Sequence, residues 1–146
     1  MNKSEKAIKL FEEGFACSQS IFSAFSEEFG LDKKLALKIG DPFGAGMRGL
    51  AETCGAVTGS LMVIGLKYGR IKADNLVAKE KMAGLVQDFV MKFKRLNGTL
   101  RCKQLLGIDI SIPEQHDFAE EQGYFETKCQ NYVSNAAEIL EEIIRE

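Results

Sequence analysis

Four cysteines carry the most distinctive chemistry in this chain: Cys17, Cys54, Cys102 and Cys129. Each lies tens of residues from the next, so the sequence contains no CxxC redox motif, zinc knuckle or haem-attachment CxxCH. A thiolate is a nucleophile in disulfide exchange and a soft ligand for zinc, copper(I) or iron–sulfur clusters. Any site that these residues share must be assembled by the fold. The alternative is that each is a small apolar core residue, as buried free cysteines often are.

The other reactive side chains form no catalytic pattern. The only histidine, His116, lies among glutamate, glutamine and aspartate, which is typical of a surface residue rather than of a ligand or a base. The 21 acidic residues are scattered, and no catalytic pair stands out among them. Neither a Ser-His-Asp nor a Cys-His arrangement is therefore expected. Of the reactive side chains considered, only the cysteine thiols are left as candidates for a functional site.

The stretch Glu52 to Leu66 includes one of the cysteines and has glycines on one helical face. Gly55 and Gly59 lie four residues apart, and Ala51 and Val63 extend the same face. Each glycine in a helix interior costs about 1 kcal/mol relative to alanine. A helix that accepts this cost twice is expected to contact something closely. The sequence leaves open whether that is a neighbouring helix, a second subunit or a cofactor.

N-caps such as Ser4 and Asp32, glycine breaks and apolar spacing predict an all-α fold. We expect residues 1–146 to form a single domain, a helical bundle of about six helices with the glycine-rich helix buried at its centre. Two shorter helical stretches are expected near Cys102 and from Pro113 to Gln122. The main predicted helices run from Ser4 to Phe11, Cys17 to Phe29, Asp32 to Ile39, Leu50 to Tyr68, Leu76 to Leu96, and Tyr124 to Arg145.

The cysteines share a local position in these predicted elements. Each lies at or near the start of a helix, or just after a glycine-containing break. At Cys17, the helix macrodipole would favour the thiolate form. The competing interpretation is that this side chain packs under Phe15.

A glycine-rich loop, Gly40 to Gly49, precedes the predicted central helix. Four glycines and a proline in this loop predict mobile or positive-φ backbone. A glycine-rich loop followed by a helix is also the order found in anion cradles, with Arg48 as a counter-ion. The GxxxxGK[ST] pattern and a preceding strand are both missing, so we favour a loop that brings backbone close to the cysteine site.

Charge and hydropathy exclude several classes of partner. With 19 basic and 21 acidic side chains the net charge is −2, so neither nucleic acid nor an anionic membrane is expected. The longest apolar run, Gly55 to Leu66, is shorter than the roughly 20 residues of a membrane span. Because Met1 to Lys6 lead directly into an amphipathic pattern, we expect a cytoplasmic protein. Structural disulfides are not the first expectation in that reducing compartment.

These features together resemble the small family called putative redox-active proteins, which is named for a cysteine, a CGAxxG motif and two further cysteines. The loop Gly44–Met47 is also similar to the family's glycine-rich stretch. The resemblance covers essentially the whole chain. The matching residues are Cys17 within Gly14–Ser20, the motif Cys54–Gly59, Cys102 and Cys129.

The resemblance implies a helical domain with a redox or metal-linked cysteine site, without specifying a reaction. We expect Cys17 to be the low-pKa nucleophile or first ligand, with Cys54 as its partner. Cys102 and Cys129 are then the second pair, or ligands three and four. An iron–sulfur cluster or zinc is the candidate cofactor, and haem is not expected because CxxCH is missing. A homodimer and a redox protein partner are the candidate partners.

A hypothesis from another class is a non-enzymatic helical interaction or dimerisation module. In that case the cysteines are structural core residues and the glycine face is a dimer seam. The two redox hypotheses also differ from each other. A thiol–disulfide pair needs only two sulfurs, whereas an iron–sulfur or zinc site would hold all four in one coordination shell.

Overall fold

The computed structural model describes residues 1–145, and over these residues the chain is all-α, as predicted. Eight helices replace the six or so expected, because the two shorter stretches are helices in their own right. None of the helices in this described part is long and apolar enough to cross a membrane. The helices are α1 (Lys3–Glu12), α2 (Cys17–Ser26), α3 (Lys33–Gly40), α4 (Gly55–Tyr68), α5 (Leu76–Asn97), α6 (Cys102–Leu106), α7 (Pro113–Glu121) and α8 (Tyr124–Ile144).

Short polar side chains begin several helices. Asp32 caps α3 by accepting hydrogen bonds from the first-turn N–H groups, as predicted. Asn75 does the same for α5, where the Ala78 N–H donates to its side chain at 3.1 Å. The N-cap of α1 is Asn2 rather than Ser4, because the Asn2 side chain accepts from the Glu5 N–H at 2.8 Å.

The central helix is α4, and it is buried as expected. It packs against α2, α5 and α8, and seven of its residues are buried. Gly59 explains the close packing on α2. A Cβ atom there would lie 2.9 Å from the Ser18 carbonyl oxygen, and one on Gly55 would lie 3.0 Å from the Ser18 nitrogen. The glycine face is therefore a contact between neighbouring helices, and it is not available as a dimer seam.

The start predicted for the central helix is wrong. Leu50 to Cys54 are not helical, and α4 begins at Gly55. Thr53 instead forms an isolated antiparallel bridge with Arg101, the residue that precedes α6. Ala51 takes a positive φ of 58°, so it does not extend the glycine face. Three backbone hydrogen bonds between residues 51–54 and residues 100–103 compete with helix formation here, and this tertiary pairing is not visible in the local sequence pattern.

The glycine-rich loop contains a left-handed turn. The five consecutive residues 45–49 all have positive φ angles, including Ala45 at 54°, Met47 at 71° and Arg48 at 53°. Left-handed backbone costs roughly 1–2 kcal/mol for each residue with a side chain. The positive-φ loop predicted from the sequence is confirmed, although three of the five residues are not glycine. The surrounding packing must therefore hold this strained segment in place.

The buried side chains form two hydrophobic clusters. The larger one lies between α1, α2, α4, α5 and α8 and includes Cys54. The smaller one consists of Ala51, Cys102, Leu106, Ile110 and Ala119. Cys17 packs against the larger cluster and Cys129 against the smaller one. The cysteines therefore lie along the boundary between the two clusters.

Candidate functional site

The fold brings all four cysteines to one cavity. It has a volume of about 370 Å³, and Cys17, Cys54, Cys102 and Cys129 all line it. All four carry free thiols in this structure. The shared site that the sequence required the fold to assemble is therefore present, with residues from α2, α6, α8 and the start of α4.

Three helix N-termini meet at this cavity. Cys17 is the first residue of α2, Cys54 is the N-cap of α4, and Cys102 is the first residue of α6. Cys129 lies in the second turn of α8. The prediction that the cysteines lie in or near helix starts is thus confirmed. Because a helix N-terminus carries a partial positive charge, this arrangement favours negative charge on the sulfurs.

Cys54 and Cys102 form what we call the bridge-held pair. The Cys54 N–H donates to the Leu100 carbonyl at 2.8 Å, and the Cys102 N–H donates to the Glu52 carbonyl at 2.6 Å. An ion pair between Glu52 and Arg101 at 2.9 Å reinforces the same bridge. The backbone segments that carry these two cysteines are therefore hydrogen-bonded directly to each other.

The bridge-held pair is buried, and burial disfavours the ionised form of both thiols. Only 6% of Cys54 and 7% of Cys102 is exposed. Burial raises the pKa of Cys54 to about 12, although the Ala56 and Val57 N–H groups at the helix start partly oppose it. Burial and the neighbouring thiols likewise raise the pKa of Cys102 to about 12. Both side chains are therefore neutral thiols at pH 7 unless a cation replaces the proton.

Cys17 and Cys129 form a second pair, which we call the helix-held pair. Their side chains extend from α2 and α8, and both are only partly buried. A hydrogen bond with the Cys17 thiol lowers the pKa of Cys129, which overcomes the opposing effect of burial. The same hydrogen bond, together with burial, raises the pKa of Cys17. Of these two thiols, Cys129 is therefore the one that ionises first, and the Cys17 thiol donates a hydrogen bond to it.

This pairing differs from the expected one. The sequence hypothesis paired Cys17 with Cys54 and Cys102 with Cys129, and it made Cys17 the low-pKa thiol. In the structure the hydrogen bond runs between Cys17 and Cys129, and it is Cys129 whose pKa falls. The difference arises because α8 packs across the start of α2, a contact between distant parts of the chain.

The spacing of the sulfurs is wider than a single metal ion requires. Each of the six possible pairs of thiols is close enough to interact electrostatically. Within residues 1–145, however, no three of these sulfurs lie within 4.8 Å of one another. Four sulfurs bound tetrahedrally to one zinc ion at about 2.3 Å would be about 3.8 Å apart. The cavity holds the four thiols in one group, and that group is wider than the single coordination shell expected from the sequence for an iron–sulfur or zinc site.

Tyr132 also lines the cavity, and the sequence hypothesis did not assign it to the site. It was expected only as an inward-facing residue of the last helix. Its hydroxyl donates to the Leu105 carbonyl at 2.7 Å, and the Lys128 ammonium donates to the Leu106 carbonyl at 3.3 Å. These bonds join α8 to α6 on both sides of Cys129. A tyrosine one turn after a cysteine was the available sequence signal.

The left-handed turn forms one wall of the cavity. Gly44, Ala45, Gly46 and Arg48 line it, which confirms that the glycine-rich loop approaches the cysteine site. Arg48 is exposed, and its guanidinium lies 3.6 Å from the Asp41 carboxylate. The one arginine of this loop is thus paired at the rim of the cavity.

His116 lies away from the thiols. It does not line the cavity itself, and its ring packs against Phe125 at a tilt of 42° with the ring centroids 5.2 Å apart. Asp117 and Glu120 are close enough to His116 that the three could share a cation. Nothing else in the described part of the chain points to a ligand there.

Comparison with known proteins agrees with the cysteine pattern. A family model described as putative redox-active protein (C_GCAxxG_C_C) matches residues 15–143. The chain belongs to this family. The motif in the family's name places glycine before cysteine, whereas this chain has Cys54 before Gly55 and Ala56. The search of curated proteins and the search of solved structures found no match.

Proposed function

We propose that this member of the family is an electron-transfer protein whose centre is an iron–sulfur cluster held by Cys17, Cys54, Cys102 and Cys129. The observation that carries the proposal is the cavity, in which four thiols from four separate segments converge. A thiol–disulfide pair needs only two sulfurs, whereas cubane and two-iron clusters use four cysteine ligands.

The donor set and its spacing fit such a cluster. Thiolates are the soft ligands that iron–sulfur clusters require. Each iron of a cluster takes its own thiolates, so the ligands are more widely spaced than around one zinc ion. The absence of any trio of sulfurs within 4.8 Å, among the residues described, therefore favours a cluster over zinc. When bound, the cluster would supply one-electron transfer.

The protein's own part is to hold four negative sulfurs together. The N-termini of α2, α4 and α6 offset part of that negative charge. The raised pKa of Cys54 means that its proton must be released when a metal binds. The half-buried wall of Phe11, Phe125 and Tyr132 limits water around the site.

Anaerobic purification tests this proposal. We expect iron and acid-labile sulfide to copurify with the chain, or to be incorporated by anaerobic reconstitution, together with broad visible absorption that bleaches on reduction. Replacing any one cysteine by serine should lower the iron content, and circular dichroism should show whether the helices remain. A folded protein that takes up no iron or sulfide and titrates as four free thiols would contradict the proposal.

A second candidate function rests on the hydrogen bond between Cys17 and Cys129. The Cys129 thiolate would attack a disulfide of a partner protein and form a mixed disulfide, releasing one partner thiolate. Cys17 would then lose its proton to that thiolate and attack the Cys129 sulfur. This step forms the Cys17–Cys129 disulfide, releases the partner's second thiolate and passes two electrons to the partner.

Redox buffers separate the two candidates. Equilibration of the metal-free protein with reduced and oxidised glutathione, followed by mass spectrometry, reports which disulfides form. A reversible Cys17–Cys129 disulfide in a protein that cannot be reconstituted with iron and sulfide supports thiol–disulfide exchange. Random or intermolecular disulfides in that same protein would speak against this second candidate.

A further inference from the structure

We propose that two copies of this chain associate in an antiparallel manner through the outer face of α5, with Gln87 on the two-fold axis. The inner face of α5 is occupied, since Phe89 and Phe93 are fully buried against the rest of the chain. The outer face of α5 is not covered by other parts of the described chain. Leu76 is 62% exposed and Met91 54%, which leaves large apolar side chains in water along this face.

The outer face can be mapped from helical geometry. With about 100° of rotation per residue, several exposed residues project within about 60° of the direction of Gln87. The set contains two large apolar residues, two small residues, one glutamine and one charge of each sign. Its members are Leu76, Glu80, Ala83, Gly84, Gln87, Met91 and Lys94.

Gly84 provides an argument for close approach by another backbone. A glycine inside a helix costs about 1 kcal/mol relative to alanine. At Gly59 the close packing of α2 explains that cost, because a Cβ atom would clash with Ser18. At Gly84 no atom lies within 4 Å of the position that a Cβ would take. Together with Ala83 beside it, this glycine makes a shallow depression at the middle of an exposed face.

Charge complementarity selects a second copy of this chain as the occupant. In an antiparallel pair about Gln87, residues at equal distances before and after it meet across the axis. Glu80 then faces the partner's Lys94, and Lys94 faces the partner's Glu80. Ala83 faces the partner's Met91, so a small residue receives a large one. A parallel pair would instead set Glu80 against Glu80 and Lys94 against Lys94.

The charges needed for this contact are not used within the chain. In the part of the chain that the structure describes, the ion pairs of α5 are those of Lys92 with Asp88 and Glu142. Lys79 and Arg95 fall at the edges of the outer face, about 80° from Gln87, where their long side chains can extend into solvent. The face therefore offers two opposite-charge pairs around an apolar centre, an arrangement that closes on itself as a dimer.

Sedimentation equilibrium of the full chain in the presence of a reductant tests the proposal, with the reductant preventing disulfide-linked association. We expect a monomer–dimer equilibrium that weakens as salt is raised. Glu80→Lys or Lys94→Glu should each raise the dimer dissociation constant about tenfold or more, since each creates two like-charge contacts per dimer. The control Glu138→Lys makes the same charge change on the exposed surface of α8 and should leave the constant unchanged.

Mixing the two charge variants provides the decisive test of the antiparallel charge pairing. Equal amounts of Glu80→Lys and Lys94→Glu should form a heterodimer with nearly wild-type affinity, because both contacts are then between opposite charges. Gly84→Gln should abolish association by filling the depression while the monomer stays helical by circular dichroism. A wild-type chain that is monomeric at about 100 μM, or a dimer that none of these changes affects, would overturn the proposal.

Discussion

The two cysteine pairs show how the same side chain acquires opposite properties from its surroundings. In the bridge-held pair, backbone hydrogen bonds hold Cys54 and Cys102, and burial raises the pKa of each to about 12. In the helix-held pair, side chains from α2 and α8 share a hydrogen bond, and the pKa of Cys129 falls. Position in the fold, rather than residue type, decides which thiol is ready to react.

The difference also suggests an order of events at the centre. Because the Cys17 hydrogen bond lowers the pKa of Cys129, the helix-held pair is the first to lose a proton and the first to meet a metal or a disulfide. The bridge-held pair is already positioned by its backbone but must be forced to ionise. A centre built in this way is reactive on one side and inert on the other until a cation arrives.

Alkylation of the metal-free, reduced protein should show the largest difference between the two pairs. Raising a pKa from 9 to about 12 lowers the thiolate fraction roughly a thousandfold at a given pH. A lower pKa also weakens the intrinsic nucleophilicity of a thiolate. We therefore expect iodoacetamide to modify Cys129 at least about a hundredfold faster than Cys54 or Cys102, as followed by peptide mass spectrometry.

The unfolded chain is the control for this experiment. In concentrated urea the four thiols should react at similar rates, since the pKa differences come from tertiary structure. Equal rates for all four cysteines in the folded protein would remove the distinction between the pairs.

Changing the glycine face should disturb the helix-held pair next. Gly59→Leu forces a side chain against the α2 backbone beside Cys17, where even a Cβ atom would lie 2.9 Å from the Ser18 carbonyl oxygen. We expect this overpacking to lower the free energy of unfolding by about 3 kcal/mol in urea titrations.

The same helix offers a matched control. At Gly65 a Cβ atom would have no atom within 4 Å, so Gly65→Ala should keep or raise the stability, by up to about 1 kcal/mol. If Gly59→Leu were as stable as Gly65→Ala, the close crossing of α4 on α2 would not constrain the site.

The pH dependence of stability should report the ionisation of the bridge-held pair. An unfolded thiol releases its proton near pH 9, whereas Cys54 and Cys102 keep theirs to about pH 12 in the folded protein. Above pH 9 the folded state therefore binds more protons than the unfolded state, and stability falls as pH rises. Each thiol should contribute a slope of about 1.4 kcal/mol per pH unit between pH 9 and 12.

Urea titrations of the reduced, metal-free protein at pH 8, 9.5 and 10.5 measure this slope. The variant Cys102→Ser should show a shallower slope, because one of the two raised groups is gone. A stability that is flat from pH 8 to pH 10.5 in the wild-type protein would mean that the bridge-held thiols ionise like exposed ones.

The sequence by itself determined the local features of this protein. Apolar spacing and N-caps such as Asp32 predicted the helices, and the glycines of α4 predicted a close crossing. The cysteine pattern identified the family and all four residues that line the cavity. Each of these signals acts over a few turns of chain, where spacing and residue type are sufficient.

Only the tertiary structure decided which cysteines are neighbours. The bridge between Thr53 and Arg101 delays the start of the expected central helix to Gly55 and pairs Cys54 with Cys102. The packing of α8 brings Cys129 to Cys17, and it brings Tyr132 to the wall of the cavity. These contacts join residues far apart in the chain. Their pKa values depend on burial and on neighbouring thiols, and no local sequence pattern records either.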